Sequence, residues 1–307
     1  MRINFLYRWG DAFPWSMGQG FINALEELGH TVTSFEAKFN SINQKPHNKE
    51  MLGFLKTPAD LILVMGGGDK YCGFYADEEI MDFMQNAKIP RITYFMESMF
   101  SRKRTESRYL RSIKCWSHIL TVDETDVEEI KKHGCENVDY ISGWVDEKTF
   151  HPIDLPIKFE FQFIGFPHIH RQPSIEYLKE HLGMVANHYH TVKDYVGGIN
   201  ESKILIGLPS VFKGFTQRVT ETLACGKVLL YPALPEYLPK SRALFEDKKH
   251  IVFYNNLEEA VELAQYYSIN DSERQKIEKA SLEEILDKHT IRKRAEQFIT
   301  YAHEGKI

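Results

Sequence analysis

The feature that most constrains this chain is an alternation of short strand-like runs with helical stretches along nearly all of its 307 residues. Its clearest member is Leu61-Ile62-Leu63-Val64-Met65, five uncharged residues in a row. A run that apolar fits a central strand covered on both faces. Before it lie INFLY, a helical stretch from about Met17 to Leu28 stopped by Gly29, TVTSFE, and a helical segment near His47 to Lys56. After it come a helix from about Asp77 to Ala87, PRITYFM, a basic helix near Arg102 to Cys115, HILTVD, a helix from Glu124 to His133, and NVDYIS. Strand, helix, strand at this spacing requires crossover connections, so it predicts a parallel sheet with helices on both faces.

The pattern breaks at GWVDEKTFHPIDLPIK, which has two prolines and no clear period. It restarts with FEFQFIG, a helix near Ser174 to His181, MVANHY, a helix near Thr191 to Val196, KILIG, a further helix and strand, HIVFY, and three helical segments from Leu257 onward. Two α/β units, 1–150 and 151–290, joined near Phe150 to Lys158, are therefore expected. In such sheets ligands sit beyond the carboxyl ends of the strands.

Composition narrows the class. With 43% hydrophobic and 26% charged residues the chain reads as soluble and globular, and a net charge of -5 gives no bulk reason to bind nucleic acid or acidic membranes. No apolar run approaches the roughly 18 residues of a membrane span, so stable membrane insertion is not expected. The start MRINFLYRWGDAFPW lacks a signal peptide's apolar core, and Cys72, Cys115, Cys135 and Cys225 form no C-x-x-C pair. Both point to a cytoplasmic protein with reduced thiols.

The stretch GFTQRVTETLACGKVLLYP, Gly214 to Pro232, opens a helix with polar residues in front of a core strand. A helix start offers unpaired N–H groups and a positive dipole end. Gly214 permits close backbone approach, Thr216 can cap or bond an anion, and Arg218 can add a charge-assisted contact. Glu221, three residues on, is placed to accept from a pair of hydroxyls. A capped helix with a solvated Arg/Glu pair fits the same residues equally well.

FTQRVTETLACGKVLLYP resembles the donor-binding segment of GT-B glycosyltransferases, in particular the CgeB-type (spore maturation protein) group related to the retaining family 4 enzymes. SGWVDEKTFHP resembles the end of a first GT-B domain, FQFIGFPHIHRQPSIEYL the start of a second, and DKHTIRKRAEQFI the carboxyl-terminal HT-x-x-x-R segment. The resemblance implies two Rossmann-like domains facing a cleft, with 291–307 packing back on the first as a terminal helix. It also implies a nucleotide-sugar donor held by the second domain. Glu221 would bind ribose, Thr216, Gln217 and Arg218 would lie near the diphosphate, and Arg171 would be a second cation. Where many relatives carry an acid seven residues before this glutamate, here stands Lys213. It cannot accept from a sugar hydroxyl but can neutralise phosphate. No Asp-x-Asp metal motif stands at a strand end, and the acids of VDETD, Asp123 and Asp126, read as helix caps, so no cofactor or metal is expected.

Other candidates lie at strand ends. Gly66-Gly67-Gly68-Asp69 permits close backbone approach but lacks any nucleotide-loop spacing, and a tight turn explains it as well. RWGDAFPWSMGQG, which includes Gly18, offers Asp11 as an acid, and YFMESMF offers Glu97; either is a candidate general base of an inverting reaction. His168, just after Gly165, is a candidate for contact with donor or acceptor. The pairs His168/His170 and His188/His190 have a spacing that binds zinc, but no third ligand is signalled. SRKRTESRYLRSIK gathers Arg104, Arg108 and Arg111 on one helix face, a solvated surface or an anchor for an anionic membrane or nucleic acid.

The expected activity is sugar transfer from a nucleotide sugar to an unidentified acceptor, a glycan, a small molecule or modified phage DNA. A nucleotide-sugar epimerase of the same architecture and a non-catalytic nucleotide-sugar binding protein are the alternatives.

Overall fold

The computed structural model describes residues 1–7, 17–37, 44–66, 77–96, 98, 107–141, 143–209 and 214–304, the side chains of 44–46 and 107–109 apart. Two compact units make up the chain. Met1–Ser142, Phe212–Gly214 and Ile291–Ile307 fall in the first, Gly143–Val211 and Phe215–Thr290 in the second.

In the first unit β1 (Arg2–Tyr7), α1 (Gln19–Glu27), β2 (Thr31–Glu36), α2 (Gln44–Leu55), β3 (Leu61–Met65), α3 (Glu78–Asn86), β4 (Arg91–Phe95), α4 (Ser107–Ile113), β5 (His118–Thr121), α5 (Asp126–Lys132) and β6 (Val138–Tyr140) follow in order. The strands form one parallel sheet, β2-β1-β3-β4-β5-β6. Every residue of β3 is fully buried, as its uncharged sequence requires of a central strand. Gly66 extends that pairing by donating to the Tyr94 carbonyl at 3.0 Å, then turns the chain at φ 85°, a left-handed value that favours glycine. Asp77 caps α3, accepting from the N–H groups of Glu79 and Ile80.

In the second unit β7 (Phe159–Ile164), α6 (Gln172–Leu182), β8 (Val185–Asn187), α7 (Val192–Asn200), β9 (Ser202–Ile206), α8 (Gln217–Ala224), β10 (Val228–Pro232), α9 (Pro239–Arg242), β11 (Val252–Tyr254), α10 (Leu257–Ile269) and α11 (Asp271–Lys288) follow in turn. The parallel sheet runs β11-β10-β9-β7-β8. Its apolar face packs α6 and α10 through Ile175, Leu178, Ala260 and Ala264 against Ile204, Val228 and Val252. The last helix, α12 (Ile291–Glu304), belongs to the first unit, where Phe298 meets Phe21 of α1 at 5.4 Å and Tyr301 stacks on His118 at 4.1 Å.

Three local expectations need correction. The second unit begins at Gly143, the first residue of the proline-bearing stretch, rather than after Phe150, because the Val145 N–H donates to the His289 carbonyl at 2.9 Å and Trp144 is fully buried. Helix α7 runs through Gly197 and Gly198 to Asn200 rather than stopping near Val196. Its glycine is a packing need, since a Cβ on Gly198 would lie 2.4 Å from the Tyr189 ring. Of the two acids of VDETD, Asp126 is the first residue of α5 rather than its cap. Asp123 makes a local turn by accepting from the Thr125 N–H and hydroxyl, and Asp126 accepts from Ser98 at 3.0 Å.

Candidate functional site

The order of the second sheet places β7 between β8 and β9, so the connections from the neighbouring strands β7 and β9, to β8 and to β10, leave to opposite sides. That reversal opens a crevice at the carboxyl ends of β7 and β9, where parallel sheets bind ligands. Two glycines stand there. Gly165 follows β7 and donates to the Asn187 carbonyl at 2.9 Å, and Gly207 follows β9 and donates to Leu230 at 2.7 Å. Neither has room for a side chain. A Cβ on Gly165 would meet the Phe163 ring at 2.9 Å and the Arg218 guanidinium at 3.0 and 3.1 Å, and one on Gly207 would meet the Tyr231 ring at 2.5 Å. The missing side chain at Gly165 is what lets Arg218 lie over the strand end.

Arg171 comes to the same place from the short 3-10 turn Ile169–Arg171. Buried to 7% exposure, it donates to the carbonyls of Pro209 and Phe166 at 3.2 Å each and lies over the Phe163 ring. Burial, and then the nearby charge of Arg218, lower its pKa. The two guanidiniums thus repel each other. Neither has a carboxylate ion-pair partner among the described residues. Tyr231 completes the group: burial raises its pKa, while contact with Thr216 and the charges of Arg218 and Arg171 pull it the other way. Phe163, Gly207, Thr216, Arg218, Thr222 and Tyr231 all line one pocket.

Helix α8 supplies the polar face. Thr216 stands at its N-cap, but its hydroxyl contacts Tyr231 rather than the helix N–H groups. Gln217 donates its amide to the Trp144 carbonyl and packs on Gly143, which locks the start of the helix to the beginning of the unit. Glu221, only 3% exposed, accepts from the Tyr195 hydroxyl at 2.6 Å. Gly214 is buried just ahead of the helix, and Gly226 ends it at φ 65°.

Thr216 and Arg218 therefore line one strand-end pocket and Arg171 lies near Arg218, while Glu221 is buried one turn along the same helix against Tyr195 and Gln217 is engaged with the scaffold. His168 is exposed on the loop after Gly165, with its ring against Phe166 at 4.7 Å and His170 at 5.5 Å. His188 and His190 border the same cluster. Among the described residues no three His, Cys, Asp or Glu gather to hold a metal. Gly18 is buried at the N-cap of α1, its carbonyl accepting from Phe21 and Ile22. Asp11, Gly67, Gly68, Asp69, Glu97, Arg104 and Lys213 lie outside the described residues, as does the Arg108 side chain.

Arg111, the described member of the basic face, has a partner: it donates to Glu78. With Lys114, Lys132 and His133 it lines a pocket in front of β5 and β6, at the amino edge of the first sheet. That is the edge opposite the one where parallel sheets bind ligands. Gly207, Tyr231 and Tyr195 were not anticipated. Gly207 carries the same signal as Gly165, a glycine directly after a buried strand.

The architecture and this strand-end site define the class: two parallel-sheet α/β units, the fold of GT-B glycosyltransferase structures. Residues 158–300 match a family model described as glycosyl transferase-like. Among solved structures, an alpha-glucosyltransferase in complex with UDP and a 13-mer DNA superposes with a TM-score of 0.70 at 13% identity, 99% of each chain covered. Sucrose-phosphate synthase from Thermosynechococcus elongatus gives 0.67 at 11% identity, over 99% of this chain and 98% of that one. Anabaena HepE in complex with UDP and glucose gives 0.61 at 12%, over 99% and 100%. At such identities the likeness is one of fold. No curated protein matches the chain by sequence. Among the described residues no helix is long and apolar enough to cross a membrane.

Proposed function

We propose that this chain is a glycosyltransferase of the CgeB-type group, related to the retaining family 4 enzymes, which takes a sugar from a nucleotide-sugar donor held on the second unit. The observation that carries the reading is the pair Arg171 and Arg218 at the β7/β9 strand ends. Two like charges, one of them buried, are costly to hold together unless an anion joins them.

The chemistry assigns each part a task. Transfer breaks the bond between the anomeric carbon and the terminal phosphate oxygen, and the electron pair leaves with the diphosphate. An acceptor hydroxyl oxygen forms the new bond to that carbon and releases its proton. Charge accumulates on the leaving diphosphate, so cations and helix N–H groups fixed beforehand favour the transition state over the ground state. Arg171, Arg218 and the start of α8 are such groups, with Lys213 and Gly214 as further donor contacts. Glu221 accepts from the ribose hydroxyls. With two fixed cations for the leaving group, the reaction proceeds without metal, and the resemblance of the donor segment favours retention. His168 stands on the loop of Gly165 as a donor or acceptor contact; Asp11 or Glu97 serves as base if the course inverts.

The nucleotides bound by the solved neighbours, UDP with glucose in one and UDP with DNA in another, support a nucleoside-diphosphate sugar as donor. The net charge of -5, and a basic pocket at the amino edge of its sheet, favour a glycan or small molecule over DNA as acceptor. A cytoplasmic location follows from the same reading.

Incubation with UDP-, GDP- and ADP-sugars, with and without EDTA, tests this by following released nucleotide. Slow release of nucleotide and free sugar, unchanged by EDTA, is expected. An isomerised sugar without release makes the protein an epimerase, and binding without turnover makes it a nucleotide-sugar binding protein. Activity abolished by EDTA and restored by manganese overturns metal independence.

A further inference from the structure

Tyr195 and Glu221 are 26 residues apart, on two different helices, yet the Tyr195 hydroxyl donates to Glu221 Oε2 at 2.6 Å. This is a short hydrogen bond to a carboxylate that is nearly closed off from water. Helix α7, which carries Tyr195, is anchored at its start by Thr191, whose hydroxyl accepts from the Asp194 N–H at 3.1 Å. It is anchored further along by Gly198, which has no room for a Cβ beside Tyr189. The Tyr195 ring itself meets Phe150 edge-on at 5.6 Å. The donor is thus fixed from both sides, by its own helix and by an aromatic wall.

We infer that Tyr195 is a positioning residue for the nucleotide: it sets the rotation of the Glu221 carboxylate so that this side chain discriminates a ribose from a deoxyribose. The inference rests on the donor-site reading above, in which Glu221 accepts from ribose hydroxyls. A glutamate side chain ends in a freely turning carboxylate, whose orientation is broad unless something holds it. Binding a vicinal diol with a carboxylate that must first be oriented costs side-chain freedom at the moment of binding; one oriented beforehand does not bear that cost. The hydroxyl is suited to the task because it remains a donor. Burial and the neighbouring Glu221 charge both raise its pKa well above the ordinary tyrosine value, so it keeps its proton at any physiological pH.

A phenylalanine at this position keeps the ring and its contact with Phe150 and removes only the donor. The experiment titrates UDP, GDP and ADP into the full chain, takes the tightest of them, and repeats the titration with its 2′-deoxy counterpart. Wild type, Tyr195→Phe, Glu221→Gln and the double variant are compared, each with its melting temperature. The wild type should prefer the ribonucleotide. Tyr195→Phe should reduce that preference about two- to tenfold, the net worth of one hydrogen bond, at an unchanged melting temperature. Glu221→Gln, which presents an amide N–H where the carboxylate accepts, should abolish the preference, and adding Tyr195→Phe should then have no further effect.

If Tyr195→Phe keeps the wild-type preference while Glu221→Gln loses it, the positioning role is wrong and the donor site stands. If Tyr195→Phe weakens ribo- and deoxyribonucleotide equally, or the two substitutions add, Tyr195 is scaffold and the inference is again overturned. If Glu221→Gln also keeps the preference, Glu221 does not read the ribose, and the inference falls together with its premise.

Discussion

Two groups of arginines face opposite electrostatic situations. In the first unit Arg111 donates to Glu78, and Lys132 of the same basic pocket donates to Glu129. In the second unit Arg171 and Arg218 lie close enough for one charge to depress the other's pKa, with no carboxylate ion pair to either among the described residues. The second unit does pair its arginines elsewhere: Arg274, buried on α11, has both Asp271 and Glu278. The difference teaches that the number of basic residues in a stretch says little about where an anion goes. In the first, the described residues Arg111 and Lys132 are basic in sequence and compensated in space. The second is two residues 47 positions apart, brought to one strand end by the fold and, among the described residues, without a carboxylate ion pair.

The largest expected effect outside the arginines belongs to Glu221, the carboxylate one turn along α8 from Arg218. Glu221→Ala should weaken the tightest of UDP, GDP and ADP, and its parent nucleoside, alike, by about ten- to a hundredfold, as for one charge-assisted hydrogen bond. Calorimetric titration with both ligands checks it. Wild-type affinity for both would leave α8 as scaffold only.

A smaller effect is expected at Gly165, which separates the two groups by a different route. An added Cβ there lies 3.0 Å from the end of the Arg218 side chain, a flexible group that can yield, and 2.9 Å from the Phe163 ring, which is packed. Gly165→Ala should therefore displace Arg218 and reduce nucleoside diphosphate binding several-fold, with less change for the nucleoside. Equal loss for both ligands would assign Gly165 to packing alone.

The smallest effect is predicted for Arg111→Ala. An exposed ion pair is screened by solvent and salt, so neither the melting temperature nor nucleotide binding should change measurably. A clear loss of binding would mean that the basic pocket, and not only the strand end, handles the phosphates.

How far the sequence carried these conclusions differs between the regions. The two-unit α/β fold was legible because strands such as Leu61–Met65 are buried on both sides and spaced by helices, a pattern with few other solutions. The start of α8 was legible because a helix opening with Thr216, Gln217 and Arg218 is chemically odd in front of a core strand. What its side chains do was not. Gln217 looks like a ligand group and instead donates to the Trp144 carbonyl, a contact across 73 residues that no local pattern encodes. The Tyr195 hydroxyl was hidden for the same reason, since Tyr195 reads as an ordinary helix aromatic until α7 is laid beside α8. Of the basic helix, the partner of its described member Arg111 was hidden, because Glu78 lies on another helix and partners supplied from a distance cannot be seen in a run of charges.

The most direct measurement is a calorimetric comparison of one nucleoside diphosphate, the tightest of UDP, GDP and ADP, with its parent nucleoside on wild type and on Arg218→Ala. If the paired guanidiniums exist to receive phosphates, the variant loses about ten- to a hundredfold in affinity for the diphosphate and almost nothing for the nucleoside. If the two ligands are weakened to the same degree, or neither is, Arg171 and Arg218 are not a phosphate site and the assignment of the second unit to donor binding is contradicted.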